Sequence, residues 1–325
     1  MSRAARQGGP TSQLAYRPAR SDEVEACAGI WRTSINDYIV PLGQHEIPAD
    51  TNQVGRLFSH LQATDPDRFV VATERSKDAG ERVVAFGSAV VRERLWYLSM
   101  LFVLPELQGR GVGRELLGRI LPGDSELTRS TATDSAQPIS NALYSSYGMA
   151  PRVPLLNLVG LPERPEAFGV LPSGIAAVSF ESVAGGSVDG PAYRGLTNAI
   201  DQLDRAIVGF AHPQDHGYLR TEGRRGWLYR GPDGSPLGYG YAGDSGRLGP
   251  VAVMDPDLLA PVLGHLTSAV SPRGAFATWI AGAADRALVP MLQAGFRLES
   301  FPVLLCWDQP FADFSRYLPI SPGLL

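Results

Sequence analysis

The run "LWYLSMLFV", Leu95 to Val103, has almost no polar side chain and leads through "LPELQ" into "GRGVG", three glycines in five positions. An apolar run of this length bounded by turn formers is the pattern of a strand covered on both faces. After the glycines, Val112, Leu116, Leu117, Ile120 and Leu121 recur at helical spacing, which leaves Arg110, Arg114 and Arg119 free to face water or a ligand. A buried strand joined by a stripped-down turn to an amphipathic helix needs a sheet with helices packed on it. The chain therefore reads as α/β.

The elements around this unit read as strand, two helices, hairpin, strand, helix, strand, helix, strand. "LAYRPA" is a short strand, and Ser21 is placed to cap a helix whose first turn holds Asp22, Glu23 and Glu25. Phe69–Thr73 and Val83–Val91 flank a polar turn containing Lys77, as a hairpin would. Leu127–Thr133 is a further strand, Ile139–Tyr147 a helix stopped by Gly148, and Leu155–Val159 a closing strand.

The segment from Gly160, "GLPERPEAFGVLPSG", is rich in Pro and Gly and reads as a linker. Beyond it the order of elements repeats, with a hairpin from Trp227, strands at Leu248–Met254, Phe276–Ile280 and Pro302–Trp307, and helices at Leu258–Val270 and before Gly295. Val103 matches Val253 and Gly148 matches Gly295, an offset of roughly 150 residues that marks a duplication. The expected organisation is a tail over 1–13, a first domain over 14–160, a linker over 161–173 and a second domain over 174–325. The basic opening is set aside as a short disordered tail.

Composition narrows the function. The 325 residues are 44% hydrophobic and 19% charged with a net charge of -4, values of a globular protein with no general pull toward nucleic acid. No apolar stretch reaches the roughly 18 residues of a membrane span, so a cytoplasmic location is the default expectation. Cys27 and Cys306 stand apart from any His or Cys cluster and read as reduced, buried thiols. His212 and His216 frame "HPQDH", which reads as a solvated loop rather than a metal site, and no metal is expected.

A strand, a glycine turn and a helix N-terminus present several backbone N–H groups to one point, where the helix dipole favours an anion. A Cβ would hold that anion away from the amides. The turn lacks the Lys and Ser/Thr of a nucleotide P-loop, because Arg114 and Glu115 follow Gly113. The spacing Gly109, Gly111, Gly113 also fails the dinucleotide fingerprint.

The pattern that fits is Q-x-x-G-x-G, read as Gln108, Gly109, Arg110, Gly111, Val112 and Gly113 after "FVLPEL". This resembles the acetyl-CoA signature of the GNAT superfamily of N-acetyltransferases. A second block, "LYSSYGM" from Leu143, resembles the family's L-Y-x-x-x-G-F, with Met149 in place of Phe. The resemblance implies two tandem GNAT-like domains, each a mixed, mostly antiparallel twisted sheet flanked by helices. It further implies acetyl-CoA as co-substrate, pantetheine aligned by backbone amides around Leu101 and Val103, pyrophosphate held by residues 108–113, and Tyr144 protonating the leaving thiolate. Tyr147 lies one turn on. "VMDPDLLAPVLG" fills the loop position of the second copy without the glutamine or the glycines, and Met291 falls opposite Tyr144, so that copy is read as degenerate. Its expected role is to support or cover the first copy or to build a homodimer.

The acceptor is expected to be a small-molecule amine or a peptide, met by residues 31–50, where Asp37, Glu46 and Asp50 could greet a cation. The strand Leu95–Val103 holds no acid, although many family members carry a Glu base there. Glu93 at the strand's entry is the first candidate base, followed by His45 with Glu46 and by the end of "FSRYLPISPGLL", expected to pack on the second domain with its carboxylate in solvent. The missing acid keeps a second function open, that of a non-catalytic acyl-CoA-binding or sensor protein.

Overall fold

The computed structural model describes residues 14–76, 80–123, 126–184 and 190–325. The opening tail and Lys77 lie outside the described residues. By compactness the chain divides into two units, one of residues up to Val90 with Met100–Gly123, the other of Val91–Ser99 with the residues after Gly123.

In the first unit, β1 (Ala15–Pro18), β2 (Phe69–Ser76) and most of β3 (Gly80–Arg92) are antiparallel neighbours, with Ala15 opposite Thr73 and Phe69 opposite Ser88. The last residues of β3 and the first five of β4 (Leu95–Val103) belong to the second unit, so both strands run from one unit into the other. Helices α1 (Val24–Ile39), α2 (Asn52–Thr64) and α3 (Val112–Ile120) complete the first unit. Phe58 of α2 packs on the Phe69–Phe86 stack of the sheet, with ring centroids 5.2 Å from Phe86. The entry to α1 is held by Glu23, which accepts from the Arg20 backbone N–H at 2.8 Å and from both terminal nitrogens of Arg17. Arg20, rather than the expected Ser21, is the N-cap of the helical turn that leads into α1, and Glu23 closes the capping box because its side chain reaches back to the Arg20 amide while the Arg17 fork fixes it.

The second unit holds β5 (Thr128–Asp134), α4 (Pro138–Ser146) and β6 (Ala150–Gly160). They are followed by β7 (Ala176–Ser179), α5 (Phe180–Ala184), α6 (Pro191–Ile207), α7 (Pro213–Thr221), β8 (Arg224–Arg230), β9 (Pro236–Gly243), β10 (Leu248–Val253) and α8 (Leu259–Ala269). The chain closes with β11 (Phe276–Ala281), α9 (Asp285–Ala294), β12 (Arg297–Trp307) and the two-residue β13 (Tyr317–Leu318). One run of neighbours is β4-β5-β12-β6-β11, in which β4 and β5 are parallel with Leu95 opposite Thr128 and the other pairs are antiparallel. The other sheet runs β13-β10-β9-β8-β7, antiparallel where paired.

β12, from the chain's second half, therefore lies between two strands of its first half, while β6 reaches across to β11. β12 meets β5 through Val303 opposite Asp134 and meets β6 through Leu305 opposite Val153. A core of Leu248, Val253, Leu259, Leu263, Phe276, Ile280 and Met291 fills the space beneath α8 and α9. The segment after Gly160 is not a loose spacer. It holds a helical turn at Pro165–Phe168, and Phe168, 2% exposed, packs edge-on against Phe296.

Candidate active site

The glycine turn lies wholly in the first unit. Gly109 and Gly111 both occupy the left-handed region, with φ 76° and 85°, and nothing stands within 4 Å of where a Cβ would point at either. The N–H groups of Gly109, Arg110, Gly111, Val112 and Gly113 donate to no group among the described residues. Five successive amides thus open at the N-terminus of α3, and the space above them is clear. Gln108 does not face that space. Its amide Nε2 donates to the Val103 carbonyl at 2.9 Å, which also accepts from the Ser34 hydroxyl at 3.0 Å. Gln108 therefore fastens the turn to the end of β4. Gly87 brings α3 close to the sheet, since a Cβ there would stand 3.1 Å from Ile120 Cδ1 and 3.2 Å from Leu101 Cδ1. These residues fit a pyrophosphate: amides without partners, a helix dipole behind them, and no side chain in the way.

Tyr144 lies in the second unit near the end of α4, its residue 5% exposed, and its hydroxyl forms no hydrogen bond among the described residues. Burial, with Cys306 nearby, raises its pKa, so the phenol is held protonated and ready to donate. The first part of β4 is occupied by the chain's own end. Tyr97 donates its hydroxyl to the Pro322 carbonyl at 2.5 Å and Ser99 donates to the Gly323 carbonyl. Leu324 and Leu325 are 1% and 3% exposed, so this segment packs as the sequence suggested, and Leu325 itself is buried with it.

Glu93 sits in the β3–β4 turn at φ 49° and is tied to Arg205 of α6 by contacts of 2.6 and 2.9 Å. Arg205 holds its carboxyl below the usual range, which makes it a weak base. In the 31–50 region, Glu46 pairs with Arg32 at 2.5 Å and Asp50 accepts from the Asn52 N–H, so two of the three acids have structural partners. Asp37 and His45 are exposed.

The second half differs at each corresponding place. The Val253 N–H donates to Arg316 O at 3.1 Å, and β13 pairs with β10 through Val251–Leu318 and Ala252–Tyr317. Where the first half has its glycine turn, the Asp255 carboxylate accepts from the Asp257 N–H at the start of the helical turn that leads into α8. Met291 is fully buried in the core.

His212 and His216 are not in a solvated loop. His212 immediately precedes α7, His216 lies within it, and they are 0% and 3% exposed. His216 bridges Asp204 and Tyr241 at 2.9 Å each. His212 stands 3.4 Å from Asp204 and 3.5 Å from Asp215, which is itself gripped by Arg92 at 2.7 and 2.8 Å. Asp204, His212 and His216 bring ligand-type atoms within 4.8 Å of one another, close enough for a metal ion. Burial opposes charge on His212, but Asp204 and Asp215 outweigh it and push its pKa up to about 10. Arg92 and His212 as cations then offset the two carboxylates, a buried network that sequence spacing could not show because Arg92 and Asp215 lie far apart in the chain.

Residues 65–148 match the family profile described as an acetyltransferase (GNAT) domain. No curated protein matches the sequence. A putative acetyltransferase of Pyrococcus horikoshii aligns with TM-score 0.71 at 16% identity, covering 100% of both chains. A GCN5-related N-acetyltransferase of Sphaerobacter thermophilus aligns with TM-score 0.57 at 16% identity over 94% of this chain and 99% of its own. A tandem GNAT protein of the clavulanic acid biosynthesis pathway aligns with TM-score 0.52, also at 16% identity, over 92% of this chain and 99% of its own. The chain has the tandem GNAT fold, and its residues 65–148 match the GNAT acetyltransferase profile.

Proposed function

We propose that this chain is an N-acetyltransferase that moves an acetyl group from acetyl-CoA to a primary amine by direct attack in a ternary complex. The observation that carries the reading is the row of five unengaged amides at Gly109–Gly113, open at a helix N-terminus and preserved in the first half alone. In this reading the amides of residues 109–113 hold the pyrophosphate with Gln108 fastening the turn, β4 around Leu101 and Val103 aligns the pantetheine, and the protonated phenol of Tyr144 supplies the leaving thiolate with its proton. The protein's main contribution is positioning. The second half, with its loop capped by Asp255 and its strand edge paired to β13, supports the first.

One observation favours a second reading. No acid lies on β4, and Glu93 is engaged by Arg205, which would suit a protein that binds an acyl-CoA without turning it over. Thiol release from acetyl-CoA across a panel of amines, run beside calorimetry with acetyl-CoA alone, separates the two. Binding with amine-dependent thiol release supports the transferase, binding without it supports the sensor, and absence of binding overturns both.

A further inference from the structure

In the second half, Arg224 of β8 is paired with Gly243 of β9, and the Gly243 N–H donates to the carbonyl of Arg247 at the entrance to β10. The same register sets Leu248 opposite Ala242. Directly opposed residues of an antiparallel sheet project to one face. Arg224 and Arg247 thus leave the same face two strand spacings apart, about 10 Å between their Cα atoms, with a glycine between them. A Cβ on Gly243 would stand 3.5 Å from both Arg224 Cγ and Ser245 Oγ, so the floor between the arginines is shallow and narrow.

This face lies under α7. Tyr241, two residues before Gly243, stacks on His216 and shares a hydrogen bond with it, while Tyr218 and Glu222 come from the helix and its end. Arg224 is 9% exposed and its guanidinium makes a single hydrogen bond, to Gly249 O at 2.5 Å. The guanidinium of Arg247, a half-buried residue, makes no hydrogen bond or ion pair among the described residues. Burial, followed by the charge of Arg247, depresses the Arg224 guanidinium to about 10, while Glu222 and Tyr218 act on both arginines and Glu299 on Arg247 from beyond ion-pair distance. Two sequestered guanidinium groups that repel each other and leave most of their donors unused are an arrangement that an anion completes.

We propose that Arg224 and Arg247 form a binding site for a small oxyanion, a carboxylate or a phosphate, seated over Gly243 in the second half of the chain. The planar forks suit bidentate contact with either group. The site uses no residue of the glycine turn and stands whether or not the chain is a transferase.

The test uses the full chain carrying Gly111→Glu, so that phosphate cannot report from the glycine turn, with thermal unfolding followed at increasing inorganic phosphate or succinate at constant ionic strength. A saturable rise in Tm with either probe is expected, and the probe that saturates at lower concentration identifies the class. Arg247→Gln, at a half-exposed position, should weaken binding by roughly 10–100-fold, the value of a lost charge-assisted contact. Gly243→Ala, whose methyl group meets only ordinary van der Waals neighbours, should weaken it while leaving the unliganded Tm near that of the parent. No saturable shift with either probe, or equal shifts in the parent and in Arg247→Gln, would overturn the proposal.

Discussion

The backbone N–H of Val253 donates to the carbonyl of Arg316, so a strand edge of the second half is already paired to the chain's own later segment. With Asp255 capping the turn beyond, the strand edge and the helix start that correspond to the first half's glycine turn are both engaged. One acetyl-CoA per chain is the expected stoichiometry in calorimetry. Two equivalent sites would contradict the assignment of the donor to the first half.

Gly111→Glu is expected to abolish acetyl-CoA binding by placing a carboxylate where the phosphates sit. Gly111→Ala separates conformation from charge: at φ 85° an alanine is strained by about 1–2 kcal/mol. Its affinity should fall by a smaller factor, with circular dichroism unchanged.

Tyr144→Phe should lower kcat by roughly 10²–10⁴-fold with little effect on acetyl-CoA affinity, the range for removing a positioned acid. Unchanged turnover would transfer the proton donation to Tyr147 or to water.

Because Arg205 already holds Glu93 as a carboxylate of low basicity, Glu93→Gln should leave the acidic limb of the kcat/KM profile in place. A primary amine of pKa near ~10.4 still has to lose a proton, at a cost of about 4–5 kcal/mol at neutral pH. A flattened acidic limb in the variant would show that Glu93 is the base after all.

The buried network makes stability depend on pH in a stated direction. The pKa of His212 rises on folding from 6.5 to about 10, so its contribution is complete below pH 6.5 and is lost as pH climbs toward 10. Asp204 moves the opposite way, because the two histidines outweigh burial and lower its pKa; its contribution is present above pH 3.8 and fades in acid. Chemical denaturation across this span should show stability declining between pH 6.5 and 10. Asp204→Asn should cost about 3–5 kcal/mol near neutrality, the usual penalty for orphaning a buried partner. A flat alkaline profile would mean that His212 is neutral in the folded protein.

Much of this architecture is legible in the residues themselves. The apolar run of β4, the glycines after it and the helical spacing of Val112 to Ile120 define one local unit, and local units are what periodicity reports. The exchange of β6 and β12 is not local. "LLNLV" and "PVLLCW" each say that a strand is buried, but neither names its neighbour, since backbone pairing is blind to which apolar strand lies alongside. β13 has two residues, too few for any period. The Pro- and Gly-rich segment after Gly160 reads as a spacer because those residues forbid regular structure, yet they do not forbid burial, as Phe168 demonstrates. His212 and His216 were legible as chemistry and not as place: their partners Asp204 and Tyr241 come from α6 and β9.

The seating of β12 between β5 and β6 sets an order on biosynthesis. Strands made early, at residues 128–160, have no complete set of neighbours until residues 297–307 have emerged from the ribosome. Until then a nascent chain carries incompletely paired strands while residues 161–296 are made, at a few to some twenty residues per second. A chain built this way cannot complete its first half vectorially.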